Sequence, residues 1–302
     1  MKNPSVLISV LNYNNFNSTK KCVDRLVQYI KEGEEIFIID NNSPDNSFIK
    51  LKDTFKTIKV VKSKVNGGYA AGHKIAVDYA INNNFELIWI LNNDLTVREK
   101  TLIELSKAYL KNGLALYGSI TLKSEKPDII NFGGGKTDDI SKPFNYNSYE
   151  NISIEDYNKK TEFRAVQSIE GSSFLLPIKI IKKYGFMRED FFMYGEEVDY
   201  CYFLNKNRTK SYIVPKSIVV HRGGESLKKI KYLEEYYRRR NVLLLMKRYY
   251  NQSISKYIIN KIGILSFLKF LILHIVGVKK PTYYFNLGVL HALLNKKGKL
   301  DD

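Results

Sequence analysis

Five consecutive apolar residues, Leu87-Ile88-Trp89-Ile90-Leu91, break off at once into Asn92-Asn93-Asp94, and this stretch constrains the chain more than any other. The run is too short for a stable helix and is rich in β-branched and aromatic types. It therefore reads as a strand buried on both faces, as a parallel sheet requires. In open α/β sheets ligands bind beyond the carboxyl ends of the strands, so the Asp94 carboxylate stands where chemistry is done. Two readings of it stand side by side. Asp94 is a ligand for a hard divalent cation whose octahedron diphosphate and water complete, or Asn93-Asp94 opens a turn and caps a helix from Thr96 to Leu110.

The preceding residues repeat the pattern. Residues 6–11 form a first strand that leaves on Asn12, a helix follows from Ser18 to about Ile30, and 36–39 form a second strand ending on Asp40. The turn cluster Asn41-Asn42-Ser43-Pro44-Asp45 comes next, and an acid in the place of Asp40 can accept hydrogen bonds from a nucleoside. After a third strand at 58–61, Asn66-Gly67-Gly68-Tyr69 leads into a helix with Gly72, Ala76, Tyr79 and Ala80 on one face. Small residues there allow close packing on the sheet. The glycines allow backbone approach to a ligand, and a helix N-terminus favours phosphate. The spacing matches neither nucleotide-binding glycine fingerprint, so taken alone a plain tight turn explains it better. Alternation of strand and helix through residue 110 predicts a parallel α/β sheet flanked by helices.

Beyond a strand at 114–122 comes a long polar stretch, 136–164, of the kind that is usually functional. Sheet character returns over 165–177, interrupted at Gly171-Ser172-Ser173. An aromatic cluster at 191–194 then precedes Glu196, Glu197 and Asp199, which open a helix. These acids complement the helix dipole, or one of them, with water excluded by aromatic neighbours and its pKa raised, serves as a general base. A strand over 212–220, with Pro215 at an edge or bulge, ends on His221-Arg222-Gly223-Gly224. A histidine so placed is suited to metal or diphosphate, with an ordinary surface or core role as the alternative. Tyr236 to Arg240 lie on a helix running to about Tyr250.

Of the net charge of +17, residues 205–302 carry +16. That third therefore faces an anionic partner, either membrane lipid, a lipid-linked phosphate or nucleic acid. Residues 262–278 are strongly apolar but short of the roughly 20 residues that span a bilayer, and they include Lys269 and His274. They read as a helix lying on anionic lipid or as one packed on the main domain. Residues 296–299 are expected to fray. Cys22 and Cys201 are far apart and read as reduced core residues, and the first apolar run is too short for a signal-peptide core.

Four motifs stand in order: Asp40-Asn41-Asn42-Ser43, Asn66-Gly67-Gly68-Tyr69, Leu91-Asn92-Asn93-Asp94, and Glu196-Glu197-Val198-Asp199 followed by His221. Over about residues 4–245 the chain resembles a family-2 glycosyltransferase of GT-A fold, in its rhamnosyltransferase-like branch. The resemblance implies a GT-A-type, mostly parallel mixed sheet over residues 1–230, with a nucleotide-sugar half at 1–122 and an acceptor half at 123–230. A basic helical extension occupies 231–302. Asn12, Asp40, Asn66, Gly67, Gly68, Asn92 and Asn93 are implied as donor contacts, Asp94 with His221 as the ligands of Mg²⁺ or Mn²⁺, and Glu197 as the base. Glu196, Asp199, Gly171 and Arg240 are implied on the acceptor side or in support. Asn92 stands where many members have Asp, which removes one charge from the metal site.

The implied reaction is inverting transfer from dTDP-rhamnose or a UDP-sugar to a lipid-linked glycan in bacterial cell-surface polysaccharide synthesis. The implied setting is cytoplasmic, on the anionic inner face of the plasma membrane, with no nucleic acid partner. Two other classes remain open at this point. A non-catalytic nucleic-acid or polyanion binder explains the charge but not the acid-tipped strands, and a Rossmann dehydrogenase explains the early alternation but lacks the glycine fingerprint.

Overall fold

The computed structural model describes residues 3–135, 149–160, 163–221, 231–250, 255, 258, 262–277 and 283–300. Most of the loop expected at 136–164 lies outside the described residues, as do Arg222, Gly223, Gly224 and Val278.

Strand β1 (Val6–Asn12) pairs in parallel with β2 (Glu34–Asp40) on one side and β4 (Leu87–Asn92) on the other, and β3 (Lys59–Lys62) extends the sheet past β2. Helices α1 (Phe16–Val27), α2 (Ser47–Thr54) and α3 (Gly68–Asn82) make the crossovers. Helix α1 starts ahead of Ser18 because the Asn15 side chain caps it, accepting the Ser18 N–H at 3.3 Å. Both faces of β4 are covered, as its unbroken apolar run predicts. Ile88 and Ile90 pack in the same core as Ala76, Val77 and Ala80 of α3, whereas Leu87, Trp89 and Leu91 pack in the core that holds Cys22, Val23 and Leu26 of α1. All five are at most 1% exposed. At about 1.5–3 kcal/mol for each large apolar side chain fully buried, this strand is the sheet's anchor.

Past β4 the sheet becomes mixed. Strand β9 (Ser173–Pro177) runs antiparallel between β4 and β6 (Leu116–Lys123), and β10 (Ser211–His221) lies parallel to β6 with a register shift between Val214 and Ile218, where Pro215 falls. The path is β3-β2-β1-β4-β9-β6-β10-β5, with β7 (Ile130–Phe132) on β6 and β8 (Arg164–Val166) on β10. The helix expected from Thr96 is overturned. Residues Leu95–Val97 form β5, antiparallel to the end of β10, and α4 (Thr101–Asn112) begins only later. Leu95 and Val97 are buried and Thr96 between them is not, a period-two pattern that selects a strand. Asp94 is consequently no helix cap.

After α5 (Ile154–Lys160) and α6 (Ile178–Tyr184), α7 (Glu196–Lys206) packs with a third apolar cluster drawn from α8 (Lys231–Tyr250), α9 (Ile264–Ile275) and α10 (Tyr283–Leu293). Cys22 and Cys201 are free and buried. Residues 296–299, expected to fray, are instead tied to the body: the Gly298 N–H donates to Asp190 O at 2.7 Å, and Gly298 O accepts from Arg240 Nη1 at 2.7 Å. Among the described residues no helix is long and apolar enough to cross a membrane.

Candidate active site

The carboxyl ends of the parallel strands open into a cavity of about 860 Å³, bounded on its far side by α7 and α8. Pairing of β5 with β10 places Leu95 opposite His221 and so brings Asp94 against the histidine. Asp94 Oδ2 lies 3.1 Å from His221 Nε2, and Glu170 Oε1 lies 3.6 Å from His221 Nδ1. Burial opposes a charge on His221, but the hydrogen bonds and charges of Asp94 and Glu170 outweigh it and push the imidazole up to about 10. Burial likewise acts to raise Glu170, yet His221 and Thr121 hold its carboxyl below the usual range. One carboxylate and one imidazole at a strand-end cavity suit a divalent ion of the Mg²⁺ or Mn²⁺ type, which would displace the proton that the imidazole otherwise holds. Among the described residues no three His, Cys, Asp or Glu side chains gather as a complete metal cage, so such an ion would take further ligands from a diphosphate and water.

From Asn93, next to Asp94, a relay of amides and hydroxyls ties the strand ends together. Asn93 Nδ2 donates to Thr19 Oγ1 at 2.7 Å, Thr19 Oγ1 to Asn12 Oδ1 at 2.6 Å, and Asn12 Nδ2 to Asp40 Oδ2 at 2.7 Å. Asp40 is fully enclosed and also accepts from the Ser43 backbone N–H and hydroxyl, at 2.9 and 2.6 Å. Its carboxylate therefore fixes the strand ends, while the neighbouring Asn41 lines the cavity with Asn66 and Gly68. Asn66 Oδ1 accepts from Asn41 Nδ2 at 3.0 Å and from the Gly68 N–H at 3.1 Å. At Gly68 (φ +87°) a Cβ would sit 2.0 Å from Phe192 O, so the backbone that this glycine admits is the protein's own. The Tyr69 N–H donates to that same carbonyl at 2.8 Å, and Tyr69 Oη donates to Gly171 O. In this way α3 gathers the β8–β9 loop and the approach to α7.

That approach is strained. Phe192, Tyr194 and Gly195 all take positive φ, a conformation that side chains other than glycine disfavour. Asn241 on α8 holds it, its Nδ2 donating to the carbonyls of Phe191, Met193 and Tyr194 at 3.1, 2.8 and 2.7 Å, and Arg240 Nη2 adds a bond to Phe191 O at 2.8 Å. The loop delivers Glu196 and Glu197 to the cavity at the start of α7. Burial pushes both carboxyls up, and the charge of Glu197 pushes Glu196 further. Glu197 accepts the Gly195 N–H at 3.3 Å, whereas Glu196 Oε2 is sealed from solvent with no hydrogen-bond partner among the described residues. Of the two carboxyls Glu196 is therefore the one raised well above the ordinary glutamate range, and Glu197 keeps a backbone N–H that favours its charged form. Asp199 and Arg240 do not line the cavity. Asp199 is taken by Arg248 Nη1 at 2.6 Å and Tyr249 Oη at 2.9 Å, which ties α7 to α8.

Residues 5–185 match the family model described as glycosyl transferase family 2. The chain belongs to that family. A relative, the low-salt glycan biosynthesis hexosyltransferase Agl10 of Haloferax volcanii, is 22% identical over 97% of this chain and 92% of its own length. Among solved structures, a mannosyltransferase from Pyrobaculum calidifontis with GDP-Man and Mn²⁺ superposes at TM-score 0.59, with 11% identity over 98% of this chain and 87% of that one. GalNAc-T7 with UDP, GalNAc and Mn²⁺ also gives 0.59, at 15% identity over 93% of this chain but only 56% of its own. The glycosyltransferase has the GT-A fold of these neighbours, a mixed and mostly parallel sheet between helices. The dehydrogenase and non-catalytic readings give way to this membership.

In the glycosyltransferase, two features of the site escaped the sequence: Glu170 beside His221, and the loop clamp of Asn241. Replacing Asn241 by Leu leaves three carbonyls without its amide. We expect a loss of about 1–3 kcal/mol in chemical denaturation, with turnover falling more than donor affinity because the loop carries both glutamates. Unchanged stability would contradict the clamp.

Proposed function

We propose that this glycosyltransferase moves a sugar, with rhamnose the first candidate, from a nucleotide-diphosphate donor to a hydroxyl of a lipid-linked glycan, with inversion at the anomeric carbon. dTDP-rhamnose and UDP-sugars are the donors to test, and bacterial cell-surface polysaccharide is the product class. The observation that carries the reading is that one cavity holds both the Asp94–His221 pair and the neighbouring acids Glu196, buried, and Glu197, half-buried. Nucleotides bound to the GT-A neighbours, UDP in one and GDP-Man in the other, support a diphosphate donor.

Asn41, Asn66 and the N-terminal turn of α3 would hold the nucleotide, with Asp40 and Asn12 fixing the strand ends beneath it. Asp94 and His221 would hold Mg²⁺ or Mn²⁺, which when bound neutralises the charge of the diphosphate. Glu197 takes the proton of the acceptor hydroxyl as that oxygen bonds to the anomeric carbon and the bond from that carbon to the diphosphate breaks. Glu196, whose carboxyl burial and the charge of Glu197 push up, resists carrying a second charge beside it, and the aromatic surround keeps water from competing. Thermal stabilisation and turnover across a panel of nucleotide sugars test the donor. Stabilisation by no nucleotide diphosphate, with or without Mn²⁺, would sink the proposal.

The same proposal seats the enzyme peripherally on the anionic, cytoplasmic face of the plasma membrane. Helix α9 turns its most apolar side outward: Leu265 and Ile275 are 83% and 82% exposed, with Ile264, Leu268, Ile272 and Val276 on the same stripe, while Phe267 and Phe270 pack inward. With +16 of charge in the surrounding third, the complementary partner is anionic lipid. Sedimentation with phosphatidylglycerol vesicles should exceed that with phosphatidylcholine and weaken as salt shortens the screening length below roughly 8 Å. Leu265→Asp with Ile272→Asp should abolish it. Equal binding to both vesicle types at every salt concentration would refute the placement.

A further inference from the structure

The third wall of the cavity is built from residues the sequence offered as a loose tail. Helix α10 ends in a Schellman motif: Asn295 adopts φ 54°, the Lys296 N–H donates to His291 O at 2.8 Å, and the Asn295 N–H donates to Ala292 O at 3.2 Å. This reversal sends the chain back across α8. Gly298, at φ 75°, is latched on both sides, to Asp190 O through its N–H and to Arg240 through its carbonyl, each at 2.7 Å. Lys297 Nζ sits 3.1 Å from Asp190 Oδ2, and the Leu300 N–H donates to Tyr237 Oη at 2.8 Å. Arg240 is fully buried and Gly298 half-buried, so the bond between them is partly shielded from solvent. Lys299 and Leu300 line the cavity together with Leu233, Tyr237 and Arg238, and Arg238 is near enough to Glu197 for its charge to act on that carboxyl.

These contacts give the strap a fixed place, and its two lining residues differ in chemistry. Leu300 continues an apolar, aromatic surface formed by Phe192, Met193 and Tyr237, which suits the C–H face of a sugar ring. Lys299 carries a charge with no ion pair among the described residues, whereas Lys297 is committed to Asp190. Arg238, the other cation of this wall, is bound to Glu234 at 2.9 Å. Among the described residues Lys299 is therefore the cation of this wall left for a ligand.

We propose that residues 297–300 form the acceptor-side wall of the active site and that Lys299 selects an acceptor bearing an anionic group next to the sugar that Leu300 packs against. This inference rests on the proposed transfer reaction only in calling that side the acceptor side. The anion has two possible sources, a diphosphate joining sugar to lipid or a carboxylate on the sugar itself.

Calorimetric binding in the presence of chelator, with three probes, separates them: hexyl N-acetylglucosaminide, the same sugar joined to the hexyl chain by a diphosphate, and hexyl glucuronide. The wild-type protein should bind at least one anionic probe about tenfold or more tightly than the neutral one. Lys299→Glu should erase that preference, and Leu300→Asp should weaken all three. Preference for the diphosphate probe assigns the charge to the lipid linkage, and preference for the glucuronide assigns it to the sugar. Equal affinity for all three probes in the wild type, or a preference that survives in Lys299→Glu, would overturn the proposal. Both substitutions lie on half-buried or exposed residues, and thermal melts check that the fold is kept. Nucleotide binding measured alongside distinguishes the two failures. Loss of nucleotide affinity in the wild type refutes the donor reading while a Lys299-dependent preference stands, and normal nucleotide affinity without that preference refutes the strap alone.

Discussion

Glu197→Gln is expected to lower kcat by about 10²- to 10⁴-fold while donor affinity stays nearly unchanged, because amide replaces carboxylate at the same shape and only the proton acceptor is lost. The burial that raises the carboxyl of Glu197 also predicts the pH dependence. Its ionised form is the active one, so the rate should fall as pH drops through a pKa above the usual glutamate value, and this limb should vanish in the variant. Glu197→Asp should keep partial activity, the acid being drawn back by one methylene. Glu196→Gln should cost far less. Burial and the charge of Glu197 push the Glu196 carboxyl up and favour its neutral form, which a glutamine resembles. Single-turnover rates and donor titrations on the three variants decide the assignment. Near-normal chemistry in Glu197→Gln beside a dead Glu196→Gln would move the base to the other carboxyl.

Much of the architecture was legible because burial writes itself into a strand. The continuous run in β4, the Pro215 irregularity in β10 and the small residues on one face of α3 each left a local trace that the structure repeats. At Gly72 a Cβ would come within 2.5 Å of Leu11, so the close packing read from that face is literal. Two misreadings were of another kind. Thr96 belongs to a strand rather than a helix because Leu95 and Val97 find a partner in β10, more than a hundred residues away, and propensity over three residues cannot report a distant partner. Residues 296–299 looked frayed because lysine and glycine carry no burial signal. Their order comes from bonds to Asp190 and Arg240.

The site was legible where an acid follows a strand in the parallel direction. Asp94 and Asp40 follow that rule, although Asp40 turned inward to Asn12 and Ser43. Glu170 did not follow it. It precedes β9, and since β9 runs antiparallel, the start of that strand lies at the same edge as the ends of β4 and β6. Recognising one reversed strand would have brought Glu170 to the cavity from sequence. Nothing local announced it, because Ile169-Glu170-Gly171 reads as an ordinary loop.

Asp94→Ala should be the most damaging change among the strand-end residues of the cavity. Chelator should remove transfer from the wild-type enzyme and Mn²⁺ or Mg²⁺ restore it, and in the variant neither ion should restore it. The substitution does more than delete a ligand. Asp94 and Glu170 together hold the proton on His221, and with Asp94 gone the imidazole keeps only Glu170 and gives up that proton more readily. Folding should survive, since Asp94 sits at the cavity edge and the β5–β10 pairing that places it is made by backbone. Calorimetry of nucleotide binding supplies a readout apart from turnover. In the wild type the divalent ion should tighten nucleotide diphosphate binding, and in Asp94→Ala it should have no effect while metal-free binding through Asn41, Asn66 and α3 is retained. Asp94→Asn, which keeps an oxygen but not the charge, should fall between. Full wild-type turnover in chelator, or metal-enhanced nucleotide binding that persists in Asp94→Ala, would show that the cation is held elsewhere or is not required.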